Sequence, residues 1–142
     1  MHTMHVSLQL SIICLSAVCG LTVLPSVAQP APSAKLRQWV TPPPGDAQRG
    51  AALYQQHCTA CHSVDISKIG PAHRSVVGRR VGSLAGYKYS NELAASRLHW
   101  TPQTLFVWLG EPEDLVAGQR MGFAIENEQE RGDLIAYLAT LK

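Results

Sequence analysis

The sequence predicts an all-α fold: one small domain of about four short helices wrapped around a centre that its own side chains do not fill. Three observations carry this. No stretch of residues 45–142 alternates apolar and polar residues with the period of two that a half-buried strand needs. Several short stretches open instead with a helix-capping residue. Long Gly- and Pro-rich loops join them, leaving 98 residues with little regular structure from which to build a core.

The elements follow in order. Asp46 is placed to cap a helix running through Ala51, Leu53 and Tyr54 to about Cys58. Ser90 precedes Asn91-Glu92-Leu93-Ala94-Ala95, a short helix. Thr101-Pro102 sets a capping hydroxyl before a proline suited to the first helical position. That helix runs through Leu105, Phe106, Trp108 and Leu109 and stops at Gly110, ahead of Pro112. Asn127 with Glu130 three residues on has the form of a capping box. It leads into Leu134, Ile135, Tyr137, Leu138 and Leu141, a face with the 3.6-residue period. The loops between are 63–89, with Gly70-Pro71, Gly78, Gly82 and Gly86, and 110–126.

The 142 residues carry 12 Lys and Arg against 10 Asp and Glu, a net charge of +2. The length excludes a multidomain enzyme, and so small a charge is not the basic stripe of a nucleic-acid binder. None of these charges lies in residues 1–34. Val6 to Val27 is an apolar run that closes on Ser26-Val27-Ala28, the small-x-small pattern of signal-peptidase cleavage. Residues 1–28 therefore read as a secretory signal peptide. Uncleaved, the leader would anchor the chain in the membrane, because about 20 apolar residues just span a bilayer. Pro25 and the polar interruptions count against that, and Val18 before Cys19 is bulky for lipoprotein processing. Residues 29–44, with prolines at 30, 32 and 42–44, read as an extended linker in which Trp39 has no local explanation. The folded domain is expected over 45–142.

Cys14 and Cys19 fall in the leader, so the domain has two cysteines, both within Cys58-Thr59-Ala60-Cys61-His62. Two cysteines three positions apart close almost no loop, which excludes a disulfide scaffold. Across a helical turn, positions i, i+3 and i+4 share a face, so both sulfurs and the imidazole can address one ligand. C-x-x-C-H is the attachment pattern of covalent c-type haem, with the histidine as an axial iron ligand. A structural zinc site would need four ligands, and a thioredoxin-like pair would want a strand–helix setting. For the other side of the iron, the domain offers a single methionine, Met121, 59 residues past His62 in a Gly-flanked loop. A thioether is a soft ligand that favours ferrous iron. His57, His73 and His99 remain alternative ligands, and a methionine can also be a flexible core filler.

With these motifs in hand, the domain resembles the class I c-type cytochromes: the mitochondrial-type cytochrome c and its bacterial relatives. The likeness runs from Gly45 to the C-terminus. It rests on Gly45-Asp46, Gly50, Tyr54, Cys58 to His62, Gly70-Pro71, Gly78-Arg79, Gly86-Tyr87-Lys88-Tyr89, Trp100, the Gln119-Arg120-Met121-Gly122-Phe123 loop and Glu130 to Leu138. The resemblance implies one covalent haem c on Cys58 and Cys61, with His62 and Met121 as iron ligands. It implies that the Pro71 carbonyl accepts the imidazole N–H of His62 and that Arg79, Tyr89 and Trp100 partner the haem propionates. Trp108 stands near the axial methionine where the family has a tyrosine. Gly50 would let the first helix cross the last one near Leu134, with Tyr54 and Tyr137 alongside.

The chain departs from the family's pattern at Gln119, which replaces a threonine, at Leu93, which replaces an asparagine, and at His73, where a core leucine is usual. The loop from His62 to Gly70 is about three residues shorter than the mitochondrial one. The lysine ring of the family is reduced to Lys68, Lys88 and Arg120, against Glu111, Glu113 and Asp114. The resemblance implies a monomeric electron carrier, not an enzyme. Its partners would be a redox protein donor and acceptor: a respiratory complex, terminal oxidase or dehydrogenase. Two other classes stay open: an electron-transfer subunit of a periplasmic dehydrogenase, or a haem ligand sensor or peroxidase whose methionine is absent from the iron or easily displaced.

Overall fold

The structure, a computed structural model, describes residues 41–142. The leader and most of the linker, with Cys14, Cys19 and Trp39, lie outside the described residues.

Helix α1 spans Ala47–His57, α2 Asn91–Ala95, α3 Pro102–Gly110, α4 Pro112–Leu115 and α5 Glu128–Thr140. The caps explain most boundaries. Asp46 accepts from the N–H groups of Gln48 and Arg49 at the start of α1, and Ser90 from that of Leu93 at the start of α2. The two-way capping box falls on α3, not on α5. Thr101 accepts from the Thr104 N–H, and the Thr104 hydroxyl accepts from the Thr101 N–H. At α5, Asn127 takes the N–H groups of Gln129 and Glu130. The expected loop 110–126 contains α4, which the sequence reading missed. Pro112 opens it and Glu113 and Asp114 occupy its first turn, a favourable order for the helix dipole.

Among the described residues no strand forms. Extended pairing is limited to one isolated antiparallel bridge, Arg80 with His99. The longest helices, α1 and α5, form the main helix–helix contact. Gly50 makes it close: a Cβ there would lie 2.0 Å from the Asp133 carbonyl oxygen and 2.8 Å from the Tyr137 Cβ. Tyr54 packs beside this crossing with its ring centroid 5.2 Å from that of Tyr137. Asp133 ties the two helices further, accepting from the Asp46 N–H at 2.7 Å and from Arg49 Nε at 2.7 Å and Nη2 at 2.9 Å. At the chain's entry, Gln129 Nε2 donates to the Pro44 carbonyl at 2.9 Å, so the end of the proline run lies against α5.

The buried cluster takes residues from loops as well as helices: Val76, Val81, Trp100 and Ile125 join Tyr54, Leu105, Phe106, Trp108, Leu134 and Leu138. No helix among the described residues is long and apolar enough to cross a membrane.

Candidate functional site

The site starts where α1 ends. Cys58 is the C-cap of α1, and its carbonyl accepts from the N–H groups of Cys61 at 3.1 Å and His62 at 2.8 Å. The turn thus keeps the i, i+3, i+4 backbone spacing on which two sulfurs and an imidazole can share a face. Both thiols are free; Cys58 is half-buried and Cys61 exposed. Burial pushes the Cys58 thiol up to about 11, with the neighbouring Cys61 adding to the shift. A reactive dithiol pair needs the opposite, a depressed thiol, so the thioredoxin-like reading loses its chemistry here. Nor does any group of three or more His, Cys, Asp or Glu side chains converge on a metal position among the described residues.

His62 Nδ1 lies 2.8 Å from the Pro71 carbonyl oxygen. A carbonyl only accepts, so Nδ1 carries the proton and Nε2 keeps its lone pair. Burial holds the imidazole below its ordinary value against the opposing pull of that hydrogen bond, a shift toward the neutral form that binds metals. The loop reaches Pro71 because Gly70 passes directly over the ring: a Cβ at Gly70 would lie 2.1 Å from His62 Cε1. The Gly70 N–H closes the loop on the Cys61 carbonyl at 2.8 Å.

His73, left undefined by the sequence, turns inward. Its ring stacks on that of His62 with centroids 4.1 Å apart and planes 20° apart, and its Nδ1 lies 3.2 Å from the Tyr54 hydroxyl. Burial, with the neighbouring His62 and Arg79 adding to the effect, pushes it down to about 3. His99 pairs with Arg80 in the isolated bridge, and the His57 ring lies 5.9 Å from Phe123.

Arg79 and Trp100 come together through backbone pairing, and Tyr89 lies close enough to Arg79 to act on its charge. The Gly78 N–H donates to the Trp100 carbonyl at 2.7 Å, and the Trp100 N–H to the Arg79 carbonyl at 2.9 Å. Arg79 is half-buried; it donates from Nη2 to Ala72 at 3.0 Å and from Nη1 to Arg74 at 3.1 Å. Its Nε is buried without a partner among the described residues. Burial lowers the guanidinium from its ordinary value, while Tyr89 opposes that shift. Tyr89 itself is raised, by burial first, and its ring lies 4.7 Å from Tyr87. Trp100 and Trp108 are both buried and meet edge to face at 5.2 Å.

Met121 is half-buried against the same apolar cluster. Its loop is pinned by α4, a device that the sequence reading did not find. Glu113 accepts from the Gly118 N–H at 2.9 Å and from Gln119 Nε2 at 2.8 Å, and Gln119 Oε1 in turn accepts from the Met121 N–H. Gln119 thus holds the backbone of the methionine. The Pro112-Glu113-Asp114 order was the available signal, since proline followed by acids is how a helix begins.

The residues fit a covalent haem on two structural grounds. Arg79 has an unpartnered buried N–H where a carboxylate is expected, and His62 has one nitrogen held and the other free to bind iron.

Known proteins bear on this directly. The family described as cytochrome c matches residues 47–142. The chain is similar to cytochrome c2 of Rhodopila globiformis, 42% identical over 104 residues that cover 70% of this chain and 97% of that protein. Among solved structures it is similar to cytochrome cH from Methylobacterium extorquens, with a TM-score of 0.65 and 37% identity over 68% of this chain and 99% of that one. It is also similar to ferricytochrome c2 from Rhodopseudomonas palustris, with a TM-score of 0.60 and 36% identity over 68% of this chain and 99% of that one. The protein therefore belongs to the cytochrome c family, whose members carry one covalently attached haem c and serve as electron carriers between redox partners.

Proposed function

We propose that this cytochrome works in the bacterial periplasm and carries single electrons between a redox donor and acceptor through a His62/Met121-ligated iron. The observation that carries the reading is the His62 ring, its Nδ1 held by the Pro71 carbonyl at 2.8 Å and its Nε2 left for a metal. Bound there, haem iron supplies reversible one-electron exchange between its ferric and ferrous states.

Each residue's part follows from its chemistry. Cys58 and Cys61 hold the group as thioethers from one turn. The Pro71 carbonyl fixes the tautomer and direction of His62 and raises its basicity as a ligand. The thioether of Met121 is soft and favours the ferrous state, and the Glu113–Gln119 chain keeps its loop in place. Arg79, with Tyr89 and Trp100, supplies N–H and O–H donors to the propionates, which would otherwise be costly to take out of water. Trp100 and Trp108, both buried, keep water from the site. Held by both His62 and Met121, the iron would offer no open position for substrate, which supports a carrier and not an enzyme. The uncharged leader ending in Ser26-Val27-Ala28 supports export, with Gln29 as the mature N-terminus.

The test is the ferric absorption spectrum of the holoprotein and of Met121→Ala. The wild type should show the weak far-red band of a sulfur–iron bond and bind carbon monoxide or cyanide slowly. Met121→Ala should lose the band, bind these ligands at least about tenfold faster and have a lower potential, as loss of a soft ligand requires. A wild type without the band, or one that binds carbon monoxide readily, favours the sensor reading instead.

A further inference from the structure

Resting on the reading of His62 as an iron ligand, we propose that His73 is a positioning residue for that ligand: stacked on the His62 ring and held by the Tyr54 hydroxyl, it sets the plane of the axial imidazole and tunes the potential of the iron. One hydrogen bond, from Nδ1 to Pro71, fixes a point on the His62 ring and its tautomer. With Gly70 over one face, that bond alone still leaves the ring free to turn toward the other face. A second ring lying face to face at 4.1 Å and 20° removes this freedom, because any turn brings the faces into collision or opens a gap.

His73 is itself immobilised. Its N–H donates to the Ser63 carbonyl at 3.0 Å, and the next N–H, of Arg74, to Val64 at 2.7 Å, so the backbone on either side of the stack is in register. Tyr54, almost wholly buried at 1% exposure, presents its hydroxyl to His73 Nδ1, and the two rings meet edge to face at 5.7 Å. Tyr54 is in turn seated against Tyr137 on α5. The plane of His62 is thus referred, through two side chains, to the α1–α5 crossing.

The electrostatic consequence has a sign. A polar ring backed by a hydroxyl beside the axial ligand stabilises the cationic ferric state better than an aliphatic side chain would. Removing it should raise the potential.

The experiment uses the holoprotein, His73→Leu and Tyr54→Phe, with proton NMR of the ferric form, redox titration and thermal melting. Hyperfine-shifted His62 ring protons in the wild type establish the ligation on which the proposal rests; without them that reading fails, and the proposal with it. Given those signals, His73→Leu should redistribute the four haem-methyl shifts, which report the axial plane, and move the midpoint potential upward. Tyr54→Phe, which deletes one hydroxyl, should move both in the same sense and by less. If both variants keep the wild-type methyl pattern and potential while only the melting temperature falls, His73 is a packing residue and the proposal is wrong. Should His73→Leu yield no holoprotein, Tyr54→Phe decides alone by the same two readouts.

Discussion

Arg79 sits half-buried with two of its nitrogens on the carbonyls of Ala72 and Arg74 and the third unpartnered. An unmade hydrogen bond at a buried donor costs about 1–3 kcal/mol, so the unpartnered Nε has every reason to meet an anion. Arg79→Ala should destabilise the holoprotein by about 1–3 kcal/mol, measured by denaturant melting. The potential should fall, because a poorly compensated propionate favours ferric iron; an unchanged potential and melting curve would put Arg79 outside the site. At this scale the sequence was informative wherever a motif fixes the chemistry. The bond from His62 to Pro71 was legible through the family resemblance, which Cys58 to His62 and Gly70-Pro71 carry. His73 was not legible, because its ring is aimed by the pairing of residues 73 and 74 with 63 and 64, a tertiary fact.

Between elements, the decisive group is Asp133, buried on α5 and shared by the α1 cap, Arg49 and Gln129. The Arg49 side-chain hydrogen bond, ahead of the Asp46 N–H and Gln129, holds its carboxyl well below the usual range. Arg49 is 60% exposed, so water screens its charge, and the buried carboxylate's fixed hydrogen bonds matter more than the ion pair. A carboxyl depressed in the folded state adds stability above its unfolded value of about 3.9 and loses it as pH falls through the folded one. Asp133→Asn should therefore cost about 1–3 kcal/mol at pH 7 and flatten the loss of melting temperature on acidification below about pH 4. A parallel pair of acid-melting curves would remove Asp133 from that role. The helix starts were legible because caps are local: Asp46, Ser90 and Thr101 each bond within three residues. The short α4 was hidden for lack of length, since one turn carries no period.

Across the whole domain, short helices and long loops share a modest apolar cluster. The site residues come from the C-cap of α1, from α3 and from three loops, which a covalent group would join. The Cys58→Ser/Cys61→Ser protein should be largely unfolded by circular dichroism; strong helicity that melts cooperatively would show that side chains suffice. The class of the fold could be read from sequence because the attachment motif implies what fills the centre, whereas the relative placement of loops depends on contacts far apart in the chain. The most direct test of His62/Met121 electron carriage is a spectroelectrochemical titration of the purified wild-type holoprotein, following the low-spin haem bands and the far-red sulfur–iron band together. A single reversible one-electron wave is expected, with both signals changing as one. More than one wave, a slope other than one electron, or a high-spin ferric spectrum with no far-red band would contradict it.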